Sequence, residues 1–202
     1  METSEARDDS VGSRIGMWLF LLSEILIFGG LFLLYAVYRA KHPVDFHNAS
    51  LALSRFDGTL NTAVLLTSSL TAVLAIYSLQ ELGKKRASAW FLGATIALGG
   101  VFLVVKGFEW AAKFEHGLYP RAAELLKHPP GEILYFGLYF TMTGLHALHV
   151  IIGMTVLSVV LSWVVKGSVN QKRSAILENA GLYWHLVDII WIFLFPLFYL
   201  IS

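Results

Sequence analysis

The side chains able to do chemistry in this sequence are the ionisable ones set inside apolar runs. Glu24 stands in Trp18-Leu19-Phe20-Leu21-Leu22-Ser23-Glu24-Ile25-Leu26-Ile27-Phe28, where Ser23 is its only polar neighbour in sequence. His146 and His149 lie three residues apart, as do His185 and Asp188, so each pair falls on one face of a helix. Carboxyls and imidazoles in hydrocarbon are costly unless they face other helices and find partners there. These five side chains therefore form a candidate interior polar cluster. His185 and Asp188 either satisfy each other or a partner helix as a structural polar knot, or take part in proton handling. His146 and His149 either ligate a metal or haem, or hydrogen-bond between helices. Glu24, a carboxyl surrounded by apolar residues, is either structural or a candidate for proton handling. A two-haem cytochrome needs four axial histidines at matched depths, and only three of the seven histidines lie in apolar runs. Lys106 and Glu109 share a face near the end of another run, where they form an ion pair.

The elements that carry these residues are membrane spans. Of 202 residues, 56% are hydrophobic and only 14% charged, far from the balance of a soluble domain. A net charge of +1 gives no electrostatic case for nucleic acid. The absence of cysteine excludes disulfides, thiolate metal sites and iron–sulfur clusters ligated by this chain. A bilayer crossing takes roughly 20 apolar residues. Five stretches meet that length, about 15–38, 60–79, 87–110, 133–165 and 178–201, giving an all-α integral membrane bundle of five helices. Residues 1–14 read as a polar N-terminal tail, unstructured or lying on the surface, without the order of a cleavable signal. The connections 39–59 and 111–131 read as polar loops with proline and Asp-Gly turn signals. The second span is rich in small hydroxylated residues (Thr62, Thr67, Ser68, Ser69, Thr71, Ser78), as a helix packed closely against others is. The fourth, longer than an upright crossing needs, is tilted or projects from the bilayer. Pro196 is placed to bend the fifth.

The tail and the connections 80–86 and 166–177 hold eight lysines and arginines, against six on the other side, which favours a cytoplasmic N-terminus and an outward C-terminus. Counted from the inner face, Glu24 and Asp188 lie roughly 14–15 Å deep at 1.5 Å per residue. His149 comes out at roughly 24 Å on an upright helix, less if tilted. A mid-bilayer meeting of Glu24, His149, His185 and Asp188 is compatible with these depths.

Four segments carry a resemblance that covers nearly the whole chain after residue 14: Gly16 to Phe28 with its Ser-Glu, Leu60 to Ser68, His146-Ala147-Leu148-His149-Val150-Ile151-Ile152-Gly153, and Tyr183-Trp184-His185-Leu186-Val187-Asp188 with Ile189-Ile190-Trp191. In this order they resemble subunit III of haem–copper terminal oxidases, in the short bacterial form with five helices. The resemblance implies a non-catalytic subunit in a proton-pumping, oxygen-reducing complex of the bacterial cytoplasmic membrane. It implies no redox centre on this chain, with haems and copper on partner subunits: catalytic subunit I and subunit II. It also implies bound phospholipid, protection of the catalytic subunit and support of proton uptake. Glu24 matches the family's carbodiimide-reactive carboxyl, and His149, His185 and Asp188 match positions lining the same interior. Where family members often carry an arginine against a lipid headgroup, this chain has Trp163, with Lys166 as the nearest base, and lysine lacks arginine's bidentate fork. An accessory protein of nitric oxide reductase and a quinol oxidase subunit III share the motifs. A freestanding transporter or haem-bearing cytochrome is the reading from another class.

Overall fold

The structure, a computed structural model, describes residues 2–171 and 174–200, of which 2–11, 13 and 14 are described as backbone only. Met1, Lys172, Arg173, Ile201 and Ser202, which belong to the tail, the second basic connection and the end of the fifth span, lie outside the described residues. Among the described residues there are six α-helices: α1 (Glu2–Lys41), α2 (Pro43–Ser50), α3 (Arg55–Gln80), α4 (Lys85–Glu115), α5 (Pro130–Lys166) and α6 (Ala175–Tyr199), with a 3-10 turn at Leu125–Lys127. Five of them carry stretches long and apolar enough to cross a membrane, beginning in α1 at Ile15. The backbone of α1 is helical already from Glu2.

The spans run past their apolar cores because polar residues continue the helix at the water boundary. α3 begins at Arg55, five residues before the apolar run, where Ser54 Oγ accepts the backbone N–H of Asp57 at 3.2 Å and caps the helix. α5 has 37 residues, roughly 55 Å at 1.5 Å per residue, against a hydrocarbon layer of about 30 Å. It ends on Gly167, whose φ of +85° supplies the left-handed C-cap that other residues adopt at a cost. α2 occupies the stretch that reads as loop. Pro43 opens it at a position where no N–H is needed. Phe46 is its anchor, fully buried edge-on between Tyr35 of α1 and Tyr135 of α5.

α3, α4, α5 and α6 form a ring in which each packs on the next and α6 closes back on α3. α1 lies outside the ring in the groove between α5 and α6, and α2 rests on α5. The hub is Trp184 of α6, fully buried. Its Nε1 donates to Ser68 Oγ of α3 at 3.0 Å. A Cβ on Gly99 of α4 or on Gly153 of α5 would come within 2.8 or 2.9 Å of its ring. Two glycines on opposite walls thus make the slot for one indole. α6 continues through Pro196, and its late carbonyls are met from neighbouring helices: Tyr35 Oη donates to Leu197 O, and Tyr135 Oη to Phe198 O at 2.7 Å.

Candidate functional site

Glu24 faces inward from α1, although most of that helix is exposed. Its Oε2 lies 2.8 Å from His149 Nε2 of α5, with both side chains about nine-tenths buried. The other ring nitrogen, Nδ1, is 2.7 Å from the carbonyl of Leu145, one turn earlier on α5. A carbonyl only accepts, so Nδ1 carries a proton. The Glu24–His149 bond then holds one proton in either of two forms: a neutral carboxyl donating to Nε2, or a carboxylate accepting from an imidazolium. Both forms are neutral overall, which makes the pair tolerable among apolar neighbours. Phe28 packs edge-on to the imidazole at 5.4 Å, and Tyr183 Oη donates to His149 O at 3.2 Å. Ser23 is no partner for Glu24, since its hydroxyl donates to Phe20 O at 2.7 Å.

The remaining polar residues separate from this pair. His185 Nδ1 meets Ser69 Oγ of α3 at 2.6 Å rather than Asp188. Ser69 also lies beside Asp188, yet neither Asp188 oxygen has a partner in hydrogen-bonding geometry among the described residues. Of the two structural readings of His185 and Asp188, mutual satisfaction is corrected, and His185 meets a partner helix instead. They share a face, but the α3 hydroxyl reaches the imidazole first. His146 is fully buried between Phe102 and Trp191, at 5.4 and 5.3 Å between ring centroids, with both nitrogens unpartnered among the described residues. Glu24 and His149 are thus brought together, while His146 and Asp188 are buried within the ring and His185, half-buried, sits where α6 meets α3.

A second polar centre lies toward the α4–α5 connection, and sequence reading anticipated only half of it. Lys106 Nζ and Glu109 Oε2 pair at 3.2 Å, both buried. Tyr139 Oη of α5 and Tyr199 Oη of α6 each donate to Glu109 Oε1 at 2.7 Å. The ammonium also sits over the rings of Tyr139, Trp191 and Tyr199 at 4.8–5.1 Å. The tyrosines carried no signal in sequence, because nothing in their spacing tells an aromatic that packs from one that donates.

Two apolar recesses flank the Glu24–His149 pair along α1. One, of about 290 Å³, is lined by Met17, Phe20, Ile152, Val156 and Tyr183. The other, of about 330 Å³, is lined by Ile25, Phe28, Phe32, Ile189 and Phe193. Trp163 and Lys166 stand exposed in the last turn of α5, whose Val165 carbonyl accepts from Lys85 Nζ at 3.3 Å. No group of three or more His, Asp or Glu among the described residues is arranged to hold a metal ion.

The comparisons with known proteins agree across the length of the chain. Residues 4–202 match the family model described as cytochrome c oxidase subunit III. The cytochrome c oxidase subunit 3 of Bacillus subtilis (strain 168) is 32% identical over 93% of this chain and 86% of its own length. That of Thermostichus vulcanus is 30% identical over 93% and 87%. The cytochrome bo(3) ubiquinol oxidase subunit 3 of Pseudomonas aeruginosa is 28% identical over 98% and 88%. A multi-pass helical chain that buries a carboxyl–imidazole pair between spans, and matches this family from end to end, belongs to the cytochrome c oxidase subunit III family of haem–copper oxidases.

Proposed function

We propose that this chain acts as the non-catalytic subunit III of an oxygen-reducing haem–copper oxidase in a bacterial cytoplasmic membrane, with its N-terminus inside. It packs against catalytic subunit I, accompanied by subunit II, and those partners carry the haems and copper. The observation that carries this reading is the Glu24–His149 bond at 2.8 Å. It supports a proton shared between a carboxyl and an imidazole inside a membrane helix bundle. The recesses beside it have the shape and polarity for acyl chains, which supports bound phospholipid as part of the subunit. A phosphate near the inner end of α5 would meet Lys166 and the Trp163 indole. Support for proton uptake would rest on the same pair: it can release its shared proton only as another is taken up, so it would act by exchange at the side of the catalytic subunit.

Affinity purification in mild detergent tests the assignment. Haem-bearing subunits I and II come along, with oxygen reduction in the eluate. Recovery of a monodisperse, colourless chain alone, under conditions that keep other membrane complexes whole, would overturn it. The name of the Pseudomonas aeruginosa relative favours a second reading for the electron donor, quinol instead of cytochrome c. Assay of the purified complex with each donor decides between them.

A further inference from the structure

Three side chains inside the ring of α3 to α6 have hydrogen-bonding atoms that meet nothing in the described chain: Asn61 of α3, His146 of α5 and Asp188 of α6. Their relative exposures are 0%, 0% and 3%. Buried amides, imidazoles and carboxyls are otherwise paired, and those that find no protein partner are met by ordered water. The three come from three different helices of the ring. Trp191 lies 5.3 Å from the His146 ring, and its Nε1 donates to Oγ1 of Thr62, the residue after Asn61, at 3.0 Å. Asp188 precedes it by one helical turn on α6. Neighbouring polar groups are already committed. Ser69 lies between His185 and Asp188, Ser68 serves Trp184, and Glu109 is saturated by Lys106 and two tyrosines.

Polar groups also continue from Trp191 toward one end of the bundle. Lys106 Nζ sits 5.1 Å over the Trp191 ring and is paired with Glu109. Glu109, Lys113, Asp57 and Ser54 line a recess of about 460 Å³ at that end of the bundle. We propose that the α3–α6 ring encloses an ordered-water site around Trp191, in which water bridges His146 to Asn61 and to Asp188 and is reached from the recess at Glu109. The site is separate from the Glu24–His149 pair, which is bonded directly and opens toward α1. It makes the interior of the ring hydrated, and links an imidazole and a carboxyl to the recess by exchangeable hydrogen bonds.

The test is a structure of the affinity-purified protein, with whatever subunits accompany it, at a resolution that shows ordered water. Solvent density within hydrogen-bonding distance of a His146 nitrogen and of Asn61 or Asp188 is expected. A dry interior, or rotamers in which the three satisfy one another directly, would overturn the proposal. Asp188→Leu, of similar size and apolar, is expected to remove the density on the Asp188 side and leave that between His146 and Asn61. Density unchanged by the substitution excludes Asp188 from the site. Should that variant fail to assemble, Asp188→Asn serves instead, with water retained at the new amide as the expected result and its loss the contrary one.

Discussion

Glu24 and Ser69 show what a single side chain contributes here. Glu24→Gln preserves shape and a hydrogen bond to His149, so assembly is expected to survive. A hydrophobic carbodiimide, which reacts with carboxyls and reaches them through apolar surroundings, is expected to stop labelling the subunit. Labelling that persists in the variant places the reactive carboxyl elsewhere. Ser69→Ala removes the partner of His185 Nδ1, and because that imidazole is only half-buried the cost falls at the low end of the range for an unpartnered polar group, about 1 kcal/mol. The corresponding drop in thermal stability of the purified complex checks this, and Asp188→Leu is expected to leave His185 itself undisturbed. Lys106→Met leaves the Glu109 carboxylate buried with tyrosine donors alone, a loss of about 3–5 kcal/mol for breaking a buried ion pair. Thermal unfolding in detergent measures it. Glu24, His146, His149, His185 and Asp188 stood out in the sequence, because ionisable groups in apolar runs are rare. Their pairings did not. Which hydroxyl reaches His185 depends on the rotation of α3 against α6, a tertiary quantity that helical spacing within one strand of chain does not contain.

At the scale of the element, the five spans were readable because hydropathy over about 20 residues is a long, redundant signal. The helix ends were less so. α3 and α4 extend five residues past the apolar run at Arg55 and Glu115, where capping and polar helix formers take over from hydrophobicity. α2 was missed because its eight residues carry too few apolar positions to show a period, and its one anchor, Phe46, acquires meaning only from the tyrosines around it. The glycines of the Trp184 slot give the sharpest element-level prediction. Gly153→Val or Gly99→Val drives branched carbons into the indole, and overpacking of this kind costs about 1–3 kcal/mol. Reduced recovery of subunit III with the complex is expected, whereas Gly137→Val, with open space at its Cβ position, is expected to be tolerated.

For the whole molecule, the proposed orientation rests on lysines and arginines in short connections, and the chain is well suited to testing it because it contains no cysteine. Lys84→Cys and Glu124→Cys both introduce thiols at exposed positions, one in each set of connections. An impermeant maleimide added to intact cells is expected to label Glu124→Cys alone, and inside-out vesicles are expected to reverse the pattern. The opposite outcome inverts the topology. The arrangement of the helices also has a consequence for how the protein is made. Ribosomes deliver α6 after α3, α4 and α5, yet among the described spans it is the most enclosed, and it supplies the indole that fills the slot at Gly99 and Gly153. The earlier spans must wait in the membrane with that slot open until α6 arrives, and a chain stopped short of Trp184 is expected to remain sensitive to membrane proteases.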